Sequence, residues 1–184
     1  TAAVTRVNRF FGTTWTAENC RYPVRKTQEN GDDRTKPANI IITCTDNTRS
    51  RLELWRFLKK YREASVNNER AVYYWMDFGN AQTTGQVFIG TVRNKIRQPA
   101  SKEFMPVPGM NVITEEVNYS TIEEKDSEPS CSLAEALERQ DLYINSILAQ
   151  VGCDILWRMF KEGRTLYRGA YINLDTLRVN PIPV

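Results

Sequence analysis

Residues 39–51 read Asn39-Ile40-Ile41-Ile42-Thr43-Cys44-Thr45-Asp46-Asn47-Thr48-Arg49-Ser50-Arg51, and the fold turns on how this stretch is read. An uninterrupted run of isoleucine and threonine is the composition of a strand enclosed on both faces, as in parallel sheets covered by helices. Asp46 and Asn47 close the run with side chains favoured at helix N-caps. Behind them Leu52, Leu54, Trp55, Leu58 and Tyr61 recur at helical spacing. Strand, short turn and helix make half of a βαβ unit.

Toward the amino terminus, Val4, Val7, Phe10 and Phe11 mark one face of a helix stopped by Gly12, and Thr13 to Thr16 is short and β-prone. Residues 25–37 are polar with an Asn30-Gly31 turn signal and read as loop. On the other side, Ala71 to Met76 and Gln86 to Val92 read as strands, with Asp77 to Thr84 as the turn between them. Residues 93–130 hold Pro99, Pro106, Pro108 and Pro129 with little periodicity, the pattern of a long crossing loop. From Ser132, the apolar positions Leu133, Leu137, Leu142, Ile144, Ile147, Leu148, Val151, Ile155, Leu156 and Met159 predict a short helix joined to a longer one ending at Gly163. Tyr167 to Leu174 and Leu177 to Val179 alternate as a hairpin around Asp175-Thr176. The expectation is a single α/β domain over residues 1–184, its sheet mainly parallel and Rossmann-like, closed by a carboxyl-terminal antiparallel hairpin.

Composition narrows the function classes. Hydrophobic residues make up 41% and charged residues 26%, so the chain resembles neither a disordered nor a membrane-spanning one. The apolar runs fall far short of the ~18 residues a spanning helix needs, and Arg6, Asn8 and Arg9 break the pattern of a secretory leader. There is no histidine, which removes Ser-His-Asp catalysis and His-ligated zinc. Cys20, Cys44, Cys131 and Cys153 are scattered without a C-x-x-C pair, usage suited to a reducing cytoplasm. A net charge of +3 is too small to argue for nucleic acid. The basic stretch Arg49, Arg51, Arg56, Lys59, Lys60, Arg62 and the acidic one Glu115, Glu116, Glu123, Glu124, Asp126, Glu128 read as solvated faces.

Three places carry candidate chemistry. Asp46, beyond the carboxyl end of the first strand, lies where α/β sheets bind ligands, and can hold Mg²⁺ bound to phosphates beside a helix start. Asp46 and Asn47 serve equally well as caps, and the two roles do not exclude each other. Cys131, ahead of a helix start, could have its thiol pKa lowered by the helix dipole, although Asp126 and Glu128 oppose this; a plain free cysteine is the alternative. Cys44 and Cys153 read as core. Asp77-Phe78-Gly79 matches three letters of the kinase metal site, but the accompanying H-R-D and glycine-rich loops are missing, and the kinase reading falls. Tyr73, Tyr74, Trp75, Phe78 and Phe88 could stack bases, but alternating strand aromatics more often form core, so nucleic-acid binding is not expected.

Taken together, Cys44-Thr45-Asp46-Asn47-Thr48-Arg49-Ser50-Arg51, the strand pair from Tyr74 to Val87, and Pro129-Ser130-Cys131-Ser132 leading into Asn145 to Gly152 resemble the ThiF/MoeB and ubiquitin-activating superfamily. Asn8 to Gly12, Asp77 to Gln82 and Gly169 to Leu174 look most like its PRTRC-system ThiF branch. The resemblance implies an adenylyltransferase: activation of the carboxyl terminus of a ubiquitin-like or sulfur-carrier protein with ATP and Mg²⁺, followed in many members by a thioester or persulfide. By matching position, Asp46 would be the magnesium-ATP carboxylate and Asn47 would sit at the nucleotide. Arg51 would hold the loop or the phosphates, and Cys131 would be the sulfur nucleophile. The resemblance also implies a homodimer and an amino-terminal phosphate-loop half, with its G-x-G-x-x-G element, ahead of Thr1, so that adenylation with ATP and Mg²⁺ is expected of the protein containing that half and not of residues 1–184 alone. Thr43 stands where many relatives have an additional Asp, and the zinc-holding cysteine pairs are missing, so no zinc is expected. The competing expectation is a non-catalytic ThiF-like interaction module that docks a partner through its sheet edge and crossing loop.

Overall fold

A computed structural model describes residues 2–20, 22, 38–62, 71–119 and 141–184. The polar loop 25–37, the later part of the crossing loop with Glu123, Glu124, Asp126 and Glu128, Cys131, and the predicted helix start with Leu133 and Leu137 lie outside the described residues. The chain divides into two compact units, Thr1–Lys36 and Pro37–Val184.

In the first unit, α1 (Ala2–Phe11) ends at Gly12, whose φ of +64° is the left-handed conformation glycine adopts without strain. Asn8 organises the exit from this helix. Its side-chain oxygen accepts from the Thr13 hydroxyl at 2.6 Å and from the Trp15 amide at 3.0 Å, while its amide nitrogen donates to the Trp15 carbonyl at 2.8 Å.

The second unit is built on a five-stranded sheet in the order β1 (Ile40–Thr43), β2 (Tyr74–Asn80), β3 (Thr84–Thr91), β4 (Tyr167–Asn173), β5 (Arg178–Pro183). Only β1 and β2 are parallel; β2–β3, β3–β4 and β4–β5 are antiparallel. The expected mainly parallel, Rossmann-like sheet is therefore wrong: the sheet is mixed and mostly antiparallel. Connection length explains two of the three antiparallel pairs, β2–β3 and β4–β5. A parallel neighbour needs a crossover of about a dozen residues or more, whereas β2 and β3 are joined by residues 81–83 and β4 and β5 by residues 174–177. Only the β1–β2 link, which contains the helix α2 (Thr48–Leu58) and a 3₁₀ turn (Lys59–Tyr61), runs between parallel strands.

β1 is also not enclosed on both faces. It is an edge strand: Ile41 is buried, but Ile42 is 51% exposed. The isoleucine run overstated burial because β-branched residues favour any pleated strand, not only covered ones. Asp77 to Asn80, expected in a turn, instead extend β2, with Asp77 opposite Phe88 and Gly79 opposite Gln86.

Two apolar layers sandwich the sheet. On one face α2 contributes Leu54, Trp55 and Leu58, which pack with Ile41, Trp75, Phe88, Val92, Ile113 and Tyr119. Trp55 stacks on Trp75 with ring centroids 6.1 Å apart. On the other face α4 (Ile144–Glu162) lays Ile155 against Met76, Val87, Ile89 and Ala170, and Ile144 and Leu148 against Ile172. Each such side chain contributes roughly 1.5–3 kcal/mol by leaving water. Gly163, at φ +67°, ends α4 in the left-handed conformation.

After β3 the chain runs out and back. Ile96 donates its amide to the Pro108 carbonyl, Gln98 donates to the Val107 carbonyl, and Thr91 donates its amide to the Met110 carbonyl. The short helix α3 (Ile113–Glu116) then ties down through Arg62–Glu115 and Arg168–Glu116 ion pairs at 2.9 and 3.0 Å. Among the described residues no helix is long and apolar enough to cross a membrane.

Candidate functional site

The turn from β1 to α2 displays the motif. Asp46 and Asn47 are both exposed there, past the carboxyl end of β1. Asn47 is the N-cap of α2: with extended backbone at φ −136° and ψ 153°, its side-chain oxygen accepts from the Ser50 amide at 2.8 Å. That removes one of the orphan donors at a helix start, and the remaining amides together with the dipole favour an anion. The Asp46 carboxylate stands beside this end with solvent access. Among the described residues, no three or more Cys, Asp or Glu gather as a metal cage. A magnesium ion carried by a triphosphate does not require one, since it is bound through one or two carboxylates plus phosphate oxygens.

Arg51 has a different surrounding. It is one helical turn after the cap, only 6% exposed, and points into the sheet. Its Nε–H donates to Asp77 Oδ2 at 2.8 Å and its Nη2–H to the Phe78 carbonyl at 2.9 Å. The Thr43 hydroxyl donates to the other Asp77 oxygen at 2.6 Å, and Trp75 Nε1–H donates to Thr43 Oγ1 at 2.8 Å. The Tyr119 ring lies 6.0 Å from the guanidinium carbon. The basic stretch is thus not uniformly a solvated face: Arg51 is buried, and Lys59 and Arg62 lie over the Trp55 ring.

Asp77 is the residue that sequence reasoning missed. It is fully buried in β2. Burial pushes its carboxyl above the ordinary value, opposed by the Arg51 charge and by the hydrogen bonds from Thr43 and Arg51. The available signal was an acidic residue at an inward position of an otherwise apolar strand, Tyr74-Trp75-Met76-Asp77-Phe78. A charge at such a position is kept only when it has a partner.

The cysteines depart from expectation as well. Cys44 and Cys153 are exposed, not core. The Cys44 thiol nevertheless has a raised pKa, first because its sulfur is partly desolvated and then because Asp77 is negative. Both effects make it a poor thiolate nucleophile. Cys131 lies outside the described residues. Of the aromatics considered for base stacking, Trp75 and Phe88 are buried core residues.

The structure therefore brings Asp46 and Asn47 together at the surface turn and places Arg51 beneath it, joined to Asp77. Compared with known proteins, the chain matches no family model and no curated protein.

Proposed function

We propose that this protein serves the ATP-dependent adenylation of the carboxyl terminus of a ubiquitin-like or sulfur-carrier protein, with Asp46 as the carboxylate for nucleotide-bound magnesium. One observation carries the reading: Asp46 is exposed past the carboxyl end of a strand in the parallel pair, at the amino terminus of an Asn47-capped helix. That is the end of an α/β unit at which phosphates are bound. The resemblance in motif order supports the same reaction class.

Magnesium bound with the triphosphate supplies the charge neutralisation that lets one anion approach another. Asp46 would take that metal. The amino-terminal amides of α2 that Asn47 leaves uncapped would face the phosphate oxygens, and Thr43 would stay with Asp77. Cys131 would be the sulfur nucleophile of a later thioester step. The site would work in the cytoplasm, in a homodimer.

The test is exchange of labelled pyrophosphate into ATP by the full natural gene product with its small partner. Exchange in the wild-type protein that is lost in Asp46→Asn supports the reading; equal exchange in both removes Asp46 from the site.

A second reading, the non-catalytic interaction module, has its own observation. The outer edge of β1 has no strand beside it among the described residues, and Ile42 is half-exposed there. An apolar, uncharged edge is a template for strand addition, whereas β5 carries Pro181 and Pro183, which cannot donate. Partner binding without any pyrophosphate exchange favours this alternative.

A further inference from the structure

We propose that Asp77 is a positioning residue that clamps both ends of the segment carrying Asp46, so that the Asp-Phe-Gly element of β2 and the Thr-Asp-Asn-x-x-x-Arg element act as one device. The last residue of β1, Thr43, donates to one Asp77 oxygen, and Arg51, in the first turns of α2, donates to the other, at 2.6 and 2.8 Å. Residues 44–50, the turn after β1 and the first residues of α2, thus form a segment whose two flanking residues close on a single carboxylate. Phe78 adds its backbone carbonyl as a second acceptor for Arg51, 2.9 Å away. Gly79 supplies room: a Cβ there would stand 3.0 Å from Arg51 Nη2 and 2.7 Å from Gln86 Nε2. Acceptor, carbonyl and space are successive residues of one strand.

The arrangement separates positioning from mere stability. The side chains of Arg51 and Asp77 are 7% and 0% exposed, and a buried ion pair recovers little or none of its desolvation cost, so an apolar pair of similar volume often serves the fold as well. What an apolar pair cannot supply is the bond to Thr43 and the fixed register between β1 and the helix cap. Asp46 itself is exposed and makes no contribution to this network; it is carried by it. That Asp46 is the group being positioned rests on the adenylation reading, but the clamp does not.

The test uses the full natural protein as wild type, as Arg51→Met/Asp77→Leu, and as the isosteric Asp77→Asn, which keeps the shape if the double variant does not fold. Hydrogen exchange of amides 44–50 should accelerate about tenfold in the double variant and less in Asp77→Asn, with amides of β3 unchanged, as for a local opening. Where the wild type exchanges pyrophosphate, the KM for magnesium-ATP should rise about fivefold or more with little change in kcat, the signature of lost binding geometry. Unchanged protection of residues 44–50 in a folded variant overturns the clamp. So does equal acceleration in β3, which marks a general loss of stability. A wild type without pyrophosphate exchange overturns the adenylation reading alone, and amide exchange still decides the clamp.

Discussion

Gly152 of α4 lies directly against Phe78 of β2: a Cβ on Gly152 would stand 2.3 Å from the Phe78 Cζ atom and 3.1 Å from Val87 Cγ2. The helix can approach the sheet this closely only because residue 152 has no side chain. Gly152→Ala adds a methyl where a ring already sits. The helix-propensity gain of about 1 kcal/mol for alanine is outweighed by overpacking, and we expect a net loss of roughly 1–2 kcal/mol in urea unfolding. Phe78→Leu in the same chain should return part of that loss, because it removes the atoms that clash. Additive losses in the double variant would mean the helix does not sit where the structure has it.

The two carboxylates of the α2 face respond to pH with opposite sign. Burial raises the folded-state pKa of Asp77 above its unfolded value. Its contribution is therefore fully present below the unfolded pKa, about 4, and is lost as pH rises through the raised folded value. The hydrogen bond from Arg168 lowers the Glu116 pKa, so its contribution is present above the unfolded value and lost as pH falls through the lowered one. Urea titrations at several pH values should show wild type losing ground to Asp77→Asn as pH rises from 4. Wild type should also lose ground to Glu116→Gln as pH falls below about 4. A wild type that gains on Asp77→Asn with rising pH would show that the Arg51 charge outweighs burial.

Tyr119 offers a test at the alkaline end. Among the described residues its buried hydroxyl has no hydrogen-bond partner, and burial pushes its pKa up to about 12. The folded value lies above the unfolded one near 10, so stability is lost as pH climbs from there through the folded value. Tyr119→Phe removes an unsatisfied polar atom and the titration together. It should be neutral to slightly stabilising at pH 7, because no hydrogen bond is given up, and should flatten the alkaline fall. A loss above about 1 kcal/mol at neutral pH would reveal a partner for the hydroxyl.

The sequence disclosed local patterns far better than pairings. The end of α1 at Gly12, the cap at Asn47, the end of α4 at Gly163 and the closing hairpin all follow from neighbouring residues, because caps and turns are local chemistry. Strand direction was misjudged because hydrophobic runs record burial and β-propensity, not which strand lies alongside. The short connection 81–83 held the better signal, but Gly79 pulled the apparent turn back into β2, where its true use is to admit Arg51. The Arg51–Asp77 contact spans 26 positions and joins two residue types that each read plausibly as surface or turn. Nothing in the spacing pairs them; the parallel register of Thr43 with Asp77 does.

Asn47 and Asp46 can be told apart by what each loses. Asn47 caps α2 by accepting from Ser50, so Asn47→Ala should cost about 1 kcal/mol in urea unfolding, with Asn47→Asp close to neutral because aspartate caps equally well. Asp46 is exposed. Asp46→Ala should therefore shift stability by less than about 0.5 kcal/mol, the range for surface positions. If Asp46 holds the metal of magnesium-ATP, the same substitution should nevertheless lower pyrophosphate exchange by a hundredfold or so, as loss of a charge-stabilising group does. Stability and exchange measured on the same two proteins then separate the roles. A cap acts through the fold and moves stability, whereas a metal ligand moves exchange alone. Should Asp46→Ala destabilise by as much as Asn47→Ala and leave exchange intact, Asp46 is part of the cap, and the phosphates must be held elsewhere.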